Sequence, residues 1–184
     1  MDSKFTLSAL RNSYELGNVT PQIIINEVFR RIQNDSHEAL WISLRDKNKL
    51  IEKTERLKYI NHKSLPLYGI PFSVKDNIDV AGLPTTAACP SFSYIPERSA
   101  TVVEQIEKAG AICIGKTNMD QFATGLNGTR SPYGPCGSAF NPMMVAGGSS
   151  SGSAVSVALQ QVSFSIGTDT GGSGRIPAGL NNII

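Results

Sequence analysis

Residues 147–175 read GGSSSGSAVSVALQQVSFSIGTDTGGSGR, and the order of elements in this stretch predicts the fold class. The glycine and serine run at 147–152 opens a helix of small residues that reaches about Gln160. Residues 162–166 then form an apolar strand, and a glycine-rich loop covers residues 167–174. A helix followed by a short apolar strand and a turn is typical of α/β folds.

The rest of the chain continues this alternation of helices and strands. Thr20 suits a helix N-cap and Pro21 the first helical position, so a helix is predicted from there to Ile32. The other predictions are helices at 46–60 and 100–109, a helical turn at 118–123, and strands at 39–44, 67–74 and 111–114. The predicted fold class is therefore α/β, with a mixed β-sheet flanked by helices.

The composition changes along the 184 residues. Of the 17 glycines only Gly17 precedes residue 65, whereas 11 of the 17 basic and 8 of the 15 acidic residues lie in the first 64. We therefore divide the chain into a helical N-terminal leader, residues 1–64, and a Gly/Ser-rich α/β core, residues 65–184. A hydrophobic fraction of 40% with 17% charged residues excludes a disordered tail.

Charge, hydropathy and cysteine spacing exclude several classes of function. The formal net charge is +2 and no dense basic face is visible, so no nucleic-acid partner is predicted. No apolar run approaches membrane length, so no membrane partner is predicted either. The three cysteines show neither paired nor Cys-x-x-Cys spacing, which indicates no disulfide framework, no zinc site and a reduced, cytoplasmic location.

Residues 110–117 match the phosphate-loop pattern G-x-x-x-x-G-K-T letter for letter. That motif binds phosphate only as a loop between a preceding strand and a following helix. Here a predicted helix precedes the motif, and its four middle residues are apolar and typical of a strand. We therefore expect these amides to lie in a sheet ladder, which argues against a nucleotide-binding protein.

Residues 148–152 match G-x-S-x-G, the turn that carries the nucleophile in many serine hydrolases. In that fold an acid and then a histidine follow the serine along the chain. The sequence has two histidines, His37 and His62, and both precede the motif. A hydrolase that uses histidine as its base is therefore expected only if the chain is a fragment whose histidine lies outside these residues.

A lysine can replace histidine as the base when burial or a nearby cation lowers its pKa. Lys75 directly follows the apolar strand predicted at 67–74, which would carry its side chain towards the interior. The alternative is a solvated lysine close to Asp76 or Asp79. Lys75 by itself favours this alternative, because most lysines in proteins are exposed.

Two serines in glycine-rich turns change that balance. Ser149 lies 74 residues after Lys75, and Ser173 lies 24 residues after Ser149. Glycine permits backbone conformations that bring N–H groups close to a ligand, and a predicted helix start adds unpaired donors. The alternative for either loop alone is a tight turn with a capping serine.

Three segments together closely resemble the amidase signature family. They are Lys75-Asp76-Asn77, the glycine and serine run at 147–153 and the loop at 167–175. The resemblance implies an amidase signature fold and an amide hydrolase of the Ser–Ser–Lys type. Because family domains are much longer, it also implies that the catalytic core at 65–184 is incomplete.

The resemblance also implies a role for each site residue. Ser173 matches the nucleophile, Ser149 the bridging serine and Lys75 the base. The backbone amides that match the oxyanion hole belong to Thr170, Gly171, Gly172 and Ser173. Neither a metal ion nor an organic cofactor is implied.

Within the family, residues 118–134 and 173–183 are most similar to members that hydrolyse allophanate to ammonia and carbon dioxide in urea degradation. The implied partner is a small amide substrate, and a homodimer is left open. Two alternatives also stay open. One is a glutaminase or amidase like the A-type component of glutamyl-tRNA amidotransferase, and the other is a truncated fragment without catalytic activity.

Overall fold

A computed structural model describes residues 4–37 and 39–184. Its helices are α1 (Leu7–Glu15), α2 (Pro21–Gln33), α3 (Lys47–Leu57), α4 (Thr101–Lys108), α5 (Ser151–Ala158) and α6 (Arg175–Leu180). Its strands are β1 (Trp41–Leu44), β2 (Pro71–Lys75), β3 (Ile112–Thr117) and β4 (Phe164–Ile166). From α2 onward, helices and strands alternate along the described chain, as the sequence predicts.

The four strands form one sheet in the order β1-β3-β2-β4. Strand β1 runs antiparallel to β3, whereas β2 runs parallel to both β3 and β4. The predicted mixed sheet with flanking helices is therefore confirmed. Because β1 lies within residues 1–64, that segment contributes an edge strand as well as helices, and a domain boundary at residue 64 stays a prediction.

Three segments differ from the sequence-based prediction, and two of them are helical. Helix α1 was not predicted, because Leu10 and Tyr14 are the buried residues in it and give only one repeat of the helical period. Thr6 caps this helix by accepting a hydrogen bond from the amide of Ala9 at 3.3 Å. The helical turn predicted at 118–123 is shorter, a single 3₁₀ turn at Gln121–Ala123.

The strand predicted at 67–74 begins only at Pro71. The residues before it form a turn, in which the amide of Tyr68 donates to the carbonyl of Leu65 at 3.1 Å. Gly69 then adopts φ +66°, a left-handed conformation that glycine reaches without strain. The apolar residues before Pro71 therefore give a strand-like pattern in the sequence, although they pack on the core as part of a turn.

The two faces of the sheet pack against different helices. Phe72, Val74 and Cys113 lie in one apolar cluster together with Val103 of α4. Ile112 and Ile114, which alternate with Cys113 along β3, lie in another cluster with residues of α1, α2 and α3. Successive side chains of a strand point to opposite faces, so β3 contributes to both clusters.

Helix α5 packs closely on the sheet because it consists of small residues. The hydroxyl of Ser156 lies 2.9 Å from that of Ser73 on β2, and the hydroxyl of Ser153 lies 2.8 Å from that of Thr117 on β3. Lys75 follows Ser73 by two residues, so it points to the same face of the sheet. The pattern of β2 thus directs Lys75 towards the start of α5.

Replacing Gly152 with alanine is expected to destabilise the protein by about 1–3 kcal/mol, since a Cβ there overpacks the helix–sheet contact. That Cβ would lie 2.6 Å from the carbonyl oxygen of Leu40 and 2.7 Å from the amide nitrogen of Asn118. Urea unfolding measures the loss. Gly179→Ala in α6 is the matched control, because nothing lies within 4 Å of its added Cβ. Equal stability of the two variants would contradict the packing argument.

Candidate active site

The side chain of Lys75 is fully buried at the carboxyl end of β2. Its Nζ atom donates hydrogen bonds to Ser149 Oγ and to Thr168 Oγ1, each at 2.7 Å. A weaker contact of 3.5 Å joins Nζ to the carbonyl of Thr168. The alternative of a solvated lysine beside Asp76 or Asp79 is therefore wrong.

Burial also changes the acidity of this lysine. Loss of hydration lowers the pKa of Lys75 from its ordinary value of 10.5 to about 8, and the negative charges of Asp120 and Asp169 oppose part of that shift. No carboxylate among the described residues forms an ion pair with Lys75. A substantial fraction of Lys75 is therefore a neutral amine near pH 8, as a general base requires.

Ser149 lies in a segment held from two sides. The amide of Asp120 donates to the carbonyl of Ser149 at 3.2 Å, and the amide of Gly148 donates to the carbonyl of Leu126 at 2.7 Å. The peptide bond between Gly148 and Ser149 is cis. Ser149 is completely buried, so its hydroxyl contacts Lys75 without competition from bulk water.

Ser173 lies in the neighbouring loop, which contacts the Ser149 segment directly. The amide of Ser150 donates to the carbonyl of Ser173 at 3.0 Å, and the Ser150 hydroxyl donates to the carbonyl of Thr168 at 3.1 Å. Ser173 is 7% exposed, and its hydroxyl has no hydrogen bond within the described chain. The structure thus joins Lys75 to Ser149 by a hydrogen bond and places the two serine segments side by side.

The conformation of the Ser173 loop depends on Asp169. Its carboxylate accepts two hydrogen bonds from the Arg175 guanidinium, at 2.8 and 2.9 Å. It also accepts the amides of Gly172 at 2.7 Å, Gly174 at 3.1 Å and Arg175 at 3.0 Å. The Arg175 side chain first, and then these amides, hold the pKa of Asp169 well below its usual range. A permanent carboxylate therefore folds the loop around residues 170–174.

Three residues near the site were not assigned roles from the sequence. Thr168 contacts Lys75, and Asn77 donates to Thr168 Oγ1 at 3.2 Å. Asp120 is fully buried, and its amide donates to the carbonyl of Ser149. All three follow the carboxyl ends of the parallel strands β2, β3 and β4, where ligand sites of α/β sheets commonly lie. That topological rule is the signal that could have identified them.

The two competing motifs take up other structures. Residues 112–117 are strand β3, so the expectation that these amides lie in a sheet ladder is confirmed and the nucleotide-binding hypothesis is wrong. Neither histidine hydrogen-bonds to the site within the described residues. His37 instead contacts the Asp35 carboxylate at 2.7 Å and the Ser138 carbonyl at 3.2 Å.

A second buried lysine, Lys116, has a different environment from Lys75. Its Nζ lies 3.4 Å from a carboxylate oxygen of Asp76, and both side chains are fully buried. It also donates to the carbonyl of Asp76 at 3.3 Å and to the hydroxyl of Thr85 at 3.1 Å. The other Asp76 oxygen accepts the amides of Thr86 and Ala88, so this pair fixes the loop that follows β2.

Replacing Lys116 with methionine is expected to reduce the free energy of unfolding by about 3–5 kcal/mol, because the buried Asp76 carboxylate loses its cation. Urea denaturation near neutral pH measures the loss. Lys53→Met is the matched control, since its 2.7 Å ion pair with Glu107 is partly exposed and contributes less than about 1 kcal/mol. Similar losses in the two variants would contradict the distinction between them.

Two features are absent from the described residues, 4–37 and 39–184. No group of three or more His, Cys, Asp or Glu side chains is placed to hold a metal ion. None of the helices in this part of the chain is both long and apolar enough to cross a membrane. The cysteines Cys89, Cys113 and Cys136 are unpaired thiols.

The chain has a mixed sheet, and a buried Lys–Ser contact lies at the carboxyl ends of its parallel strands. These two features are the ones to compare with known families. The sequence profile of the Amidase family matches residues 24–184, so the chain belongs to this family. That finding confirms the resemblance on which the site assignments rest.

Relatives in two groups of this family are similar to the chain. The chain is 60% identical over 145 residues to urea amidolyase of Saccharomyces cerevisiae, covering 78% of this chain and 8% of that protein. It is 41% identical over 171 residues to the A-type component of glutamyl-tRNA(Gln) amidotransferase from Exiguobacterium sibiricum, covering 91% of this chain and 35% of that protein. In each case the chain spans well under half the length of its relative.

Solved structures confirm the predicted amidase signature fold. Allophanate hydrolase of Kluyveromyces lactis matches with a TM-score of 0.83 and 47% sequence identity, covering 94% of this chain and 29% of that chain. A structure described as an amidase matches with a TM-score of 0.85 and 37% identity, covering 96% of this chain and 41% of that chain.

Proposed function

We propose that the chain carries the serine–serine–lysine site of an amide hydrolase. Ser173 is the nucleophile, Ser149 the bridging serine and Lys75 the general base. The observation that carries the proposal is the 2.7 Å hydrogen bond between Ser149 Oγ and the buried Nζ of Lys75. A lysine held in this way can exist as a neutral amine and remove a proton from a hydroxyl.

The proposed reaction moves one proton along the three side chains. Neutral Lys75 takes the hydroxyl proton of Ser149 while Ser149 takes that of Ser173, whose oxygen attacks the amide carbon. The resulting tetrahedral intermediate collapses as Ser149 returns a proton to the leaving nitrogen, and the C–N bond breaks. Water then attacks the acyl-enzyme by the same proton path, which releases the acid and regenerates Ser173.

Backbone amides of the Ser173 loop are proposed to stabilise the developing oxyanion. Within the described chain, the amides of Thr170, Gly171 and Ser173 donate to no acceptor, which leaves them available. The amide of Gly172 donates to Asp169 at 2.7 Å, so it joins the oxyanion hole only if that hydrogen bond opens. Neither a metal nor an organic cofactor is needed for these steps.

We propose allophanate as the substrate, with ammonia and carbon dioxide as products in urea degradation. The 60% identity to a urea amidolyase and the 47% identity to an allophanate hydrolase support this choice. The test is ammonia release by the natural protein that carries this chain, with allophanate and glutamine offered separately. Release from allophanate alone supports the proposal, and release from glutamine alone contradicts it.

A glutaminase that serves tRNA-dependent amidation is the second candidate. The 41% identity to the A-type component of a glutamyl-tRNA(Gln) amidotransferase, which extends over 91% of this chain, favours it. The same pair of assays separates the two candidates. Both use the same nucleophile, but their substrates differ in the groups next to the C–N bond that is cleaved.

Location and assembly are the same in either proposal. The unpaired cysteines support a cytoplasmic location, and a homodimer stays a prediction.

An inactive 184-residue chain is the competing proposal, motivated by the 29% of the allophanate hydrolase chain that it covers. It predicts that the 184 residues alone do not react with a fluorophosphonate serine probe. Labelling of Ser173 in this chain would refute it. Labelling in the natural protein that carries this chain, but not in the 184 residues alone, would support it without affecting the site assignments.

The rate of Ser173 acylation is expected to rise with pH through an apparent pKa of about 8. The neutral form of Lys75 is the base, so protonation inactivates the enzyme and the rate falls about tenfold per pH unit below that pKa. Fluorophosphonate labelling at a series of pH values measures this dependence. A rate that does not change between about two pH units below and one above that pKa would contradict the role of Lys75.

A further inference from the structure

The hydroxyl oxygen of Thr168 receives two donors at the centre of the site. Lys75 Nζ donates to it at 2.7 Å and Asn77 Nδ2 donates to it at 3.2 Å. A hydroxyl oxygen has two lone pairs and one proton, so both lone pairs are occupied here. Its own proton therefore points away from Lys75 and from Asn77.

We infer that Asn77 is a positioning residue which, by donating to the Thr168 hydroxyl, holds that oxygen beside Lys75 and so keeps the Lys75 amine in place for Ser149. This inference rests on the proposed function, in which Lys75 is the base. A neutral amine has two N–H groups and one lone pair. One N–H is fixed on Thr168 Oγ1, and the lone pair is left for the proton of Ser149.

The competing arrangement shows why Asn77 matters. Without the hydrogen bond from Asn77, the Thr168 side chain is free to turn and move its hydroxyl oxygen away from Lys75. Lys75 Nζ would then lose one of the two hydroxyl oxygens that fix its position, and its contact with Ser149 would loosen. Asn77 opposes this movement by holding the Thr168 oxygen from the β2 side.

The local backbone explains how Asn77 reaches Thr168. Strand β2 ends at Lys75, and the amide of Ile78 donates to the Lys75 carbonyl at 3.0 Å. This hydrogen bond closes a turn, which returns the Asn77 side chain to the side of the lysine. Asn77 thus shares with Lys75 the face that meets the loop after β4.

Asn77 also carries an unfavourable feature. Its Oδ1 atom is buried and has no hydrogen-bond partner in the described part of the chain. An unpaired buried acceptor lowers the stability of the folded state. A purely structural asparagine would be expected to satisfy both ends of its amide, so the contact with Thr168 is its contribution, at the expense of stability.

Fluorophosphonate labelling of Ser173 in the natural protein that carries this chain tests the inference, with the rate taken per folded molecule. Thr168→Val is expected to slow labelling about 100-fold, the scale of a misplaced catalytic group. Asn77→Leu is expected to slow it about tenfold without lowering Tm, since it removes the unpaired Oδ1 atom. Thr168→Ser keeps the hydroxyl and restores most of the rate. Thr54→Val, which removes a buried hydroxyl from α3, is the control and labels at the wild-type rate.

The double variant tests whether Asn77 acts through Thr168. Asn77→Leu is expected to cause no further loss in the Thr168→Val background, because the hydroxyl that it controls is gone. Wild-type labelling by Asn77→Leu, additive losses in the double variant, or a Thr168→Ser rate as low as that of Thr168→Val would overturn the inference.

Labelling does not depend on the identity of the amide substrate. If Ser173 of the wild-type protein is labelled but neither allophanate nor glutamine is hydrolysed, the proposed substrates are wrong. The labelling rates of the variants still test the role of Asn77 in that case. Absence of Ser173 labelling in the wild-type protein would overturn the inference together with the proposed site.

Discussion

Replacing Ser173 with alanine is expected to reduce ammonia release by roughly 10⁴-fold or more, the loss found when a serine hydrolase loses its nucleophile. No covalent intermediate can form without this hydroxyl, although substrate still binds. Ser173 also makes no side-chain hydrogen bond within the described structure, so Tm is expected to stay at the wild-type value. Initial rates of ammonia release, with Tm measured in parallel, check both expectations.

Ser163→Ala is the matched control for that experiment. The Ser163 hydroxyl is buried without a hydrogen-bond partner in the described chain, and its residue lies at the opposite end of β4 from the Ser173 loop. Its loss is expected to leave turnover unchanged. Full turnover by Ser173→Ala, or an equal loss in both variants, would refute the assignment of Ser173 as the nucleophile.

Replacing Lys75 with methionine is the second large effect that we expect. Turnover should fall by about 10²–10⁴-fold, the contribution of a positioned general base. Methionine fills a similar volume but accepts no proton from Ser149. The rate of ammonia release near the pH optimum, compared with that of the wild-type protein, measures the loss, and a change of only a few-fold would exclude Lys75 as the base.

Stability separates this role from a structural one. The Lys75 ammonium is buried against hydroxyl and carbonyl oxygens without an ion pair in the described residues, so Lys75→Met is expected to preserve or raise stability. Because the pKa of Lys75 is about 8 in the folded state and 10.5 in a free lysine, the unfolded state binds more protons between those values. Wild-type stability should therefore increase with pH across that interval, and Lys75→Met should lose the part of this increase that Lys75 contributes.

Lys116→Met provides the contrast, since it removes the cation from a buried ion pair. Stability should fall there, whereas the apparent pKa of acylation in the molecules that remain folded should stay near that of the wild type. Two lysines that are both fully buried are thus expected to give opposite results. Equal losses of stability would contradict the separation of a catalytic from a structural lysine.

Much of this arrangement could be predicted from local sequence. The apolar pattern of β2 predicts a strand that ends at Lys75, and the spacing of Ser73 and Lys75 places both on one face. The glycine and serine runs predict two tight segments near helix starts. Those patterns are local, because each depends on residues within a few positions of one another.

The remaining contacts join residues far apart in the chain. Thr168 meets Lys75 across 93 positions, and no periodic pattern links them. Some of the glycines also permit close packing. Gly152 leaves room for Leu40 and Asn118. Such roles depend on how β1, β3 and α5 pack together. No fixed spacing in a single sequence predicts that packing.

The most direct test of the proposed site is the position of the covalent adduct after fluorophosphonate labelling, mapped by tandem mass spectrometry in the natural protein. Labelling is carried out about one pH unit above the pKa of Lys75, where its amine is neutral. The predicted result is an adduct on Ser173 that is lost in Lys75→Met and in Ser149→Ala. An adduct on a different serine, or undiminished labelling of Ser173 in Lys75→Met, would contradict a Lys75–Ser149–Ser173 mechanism.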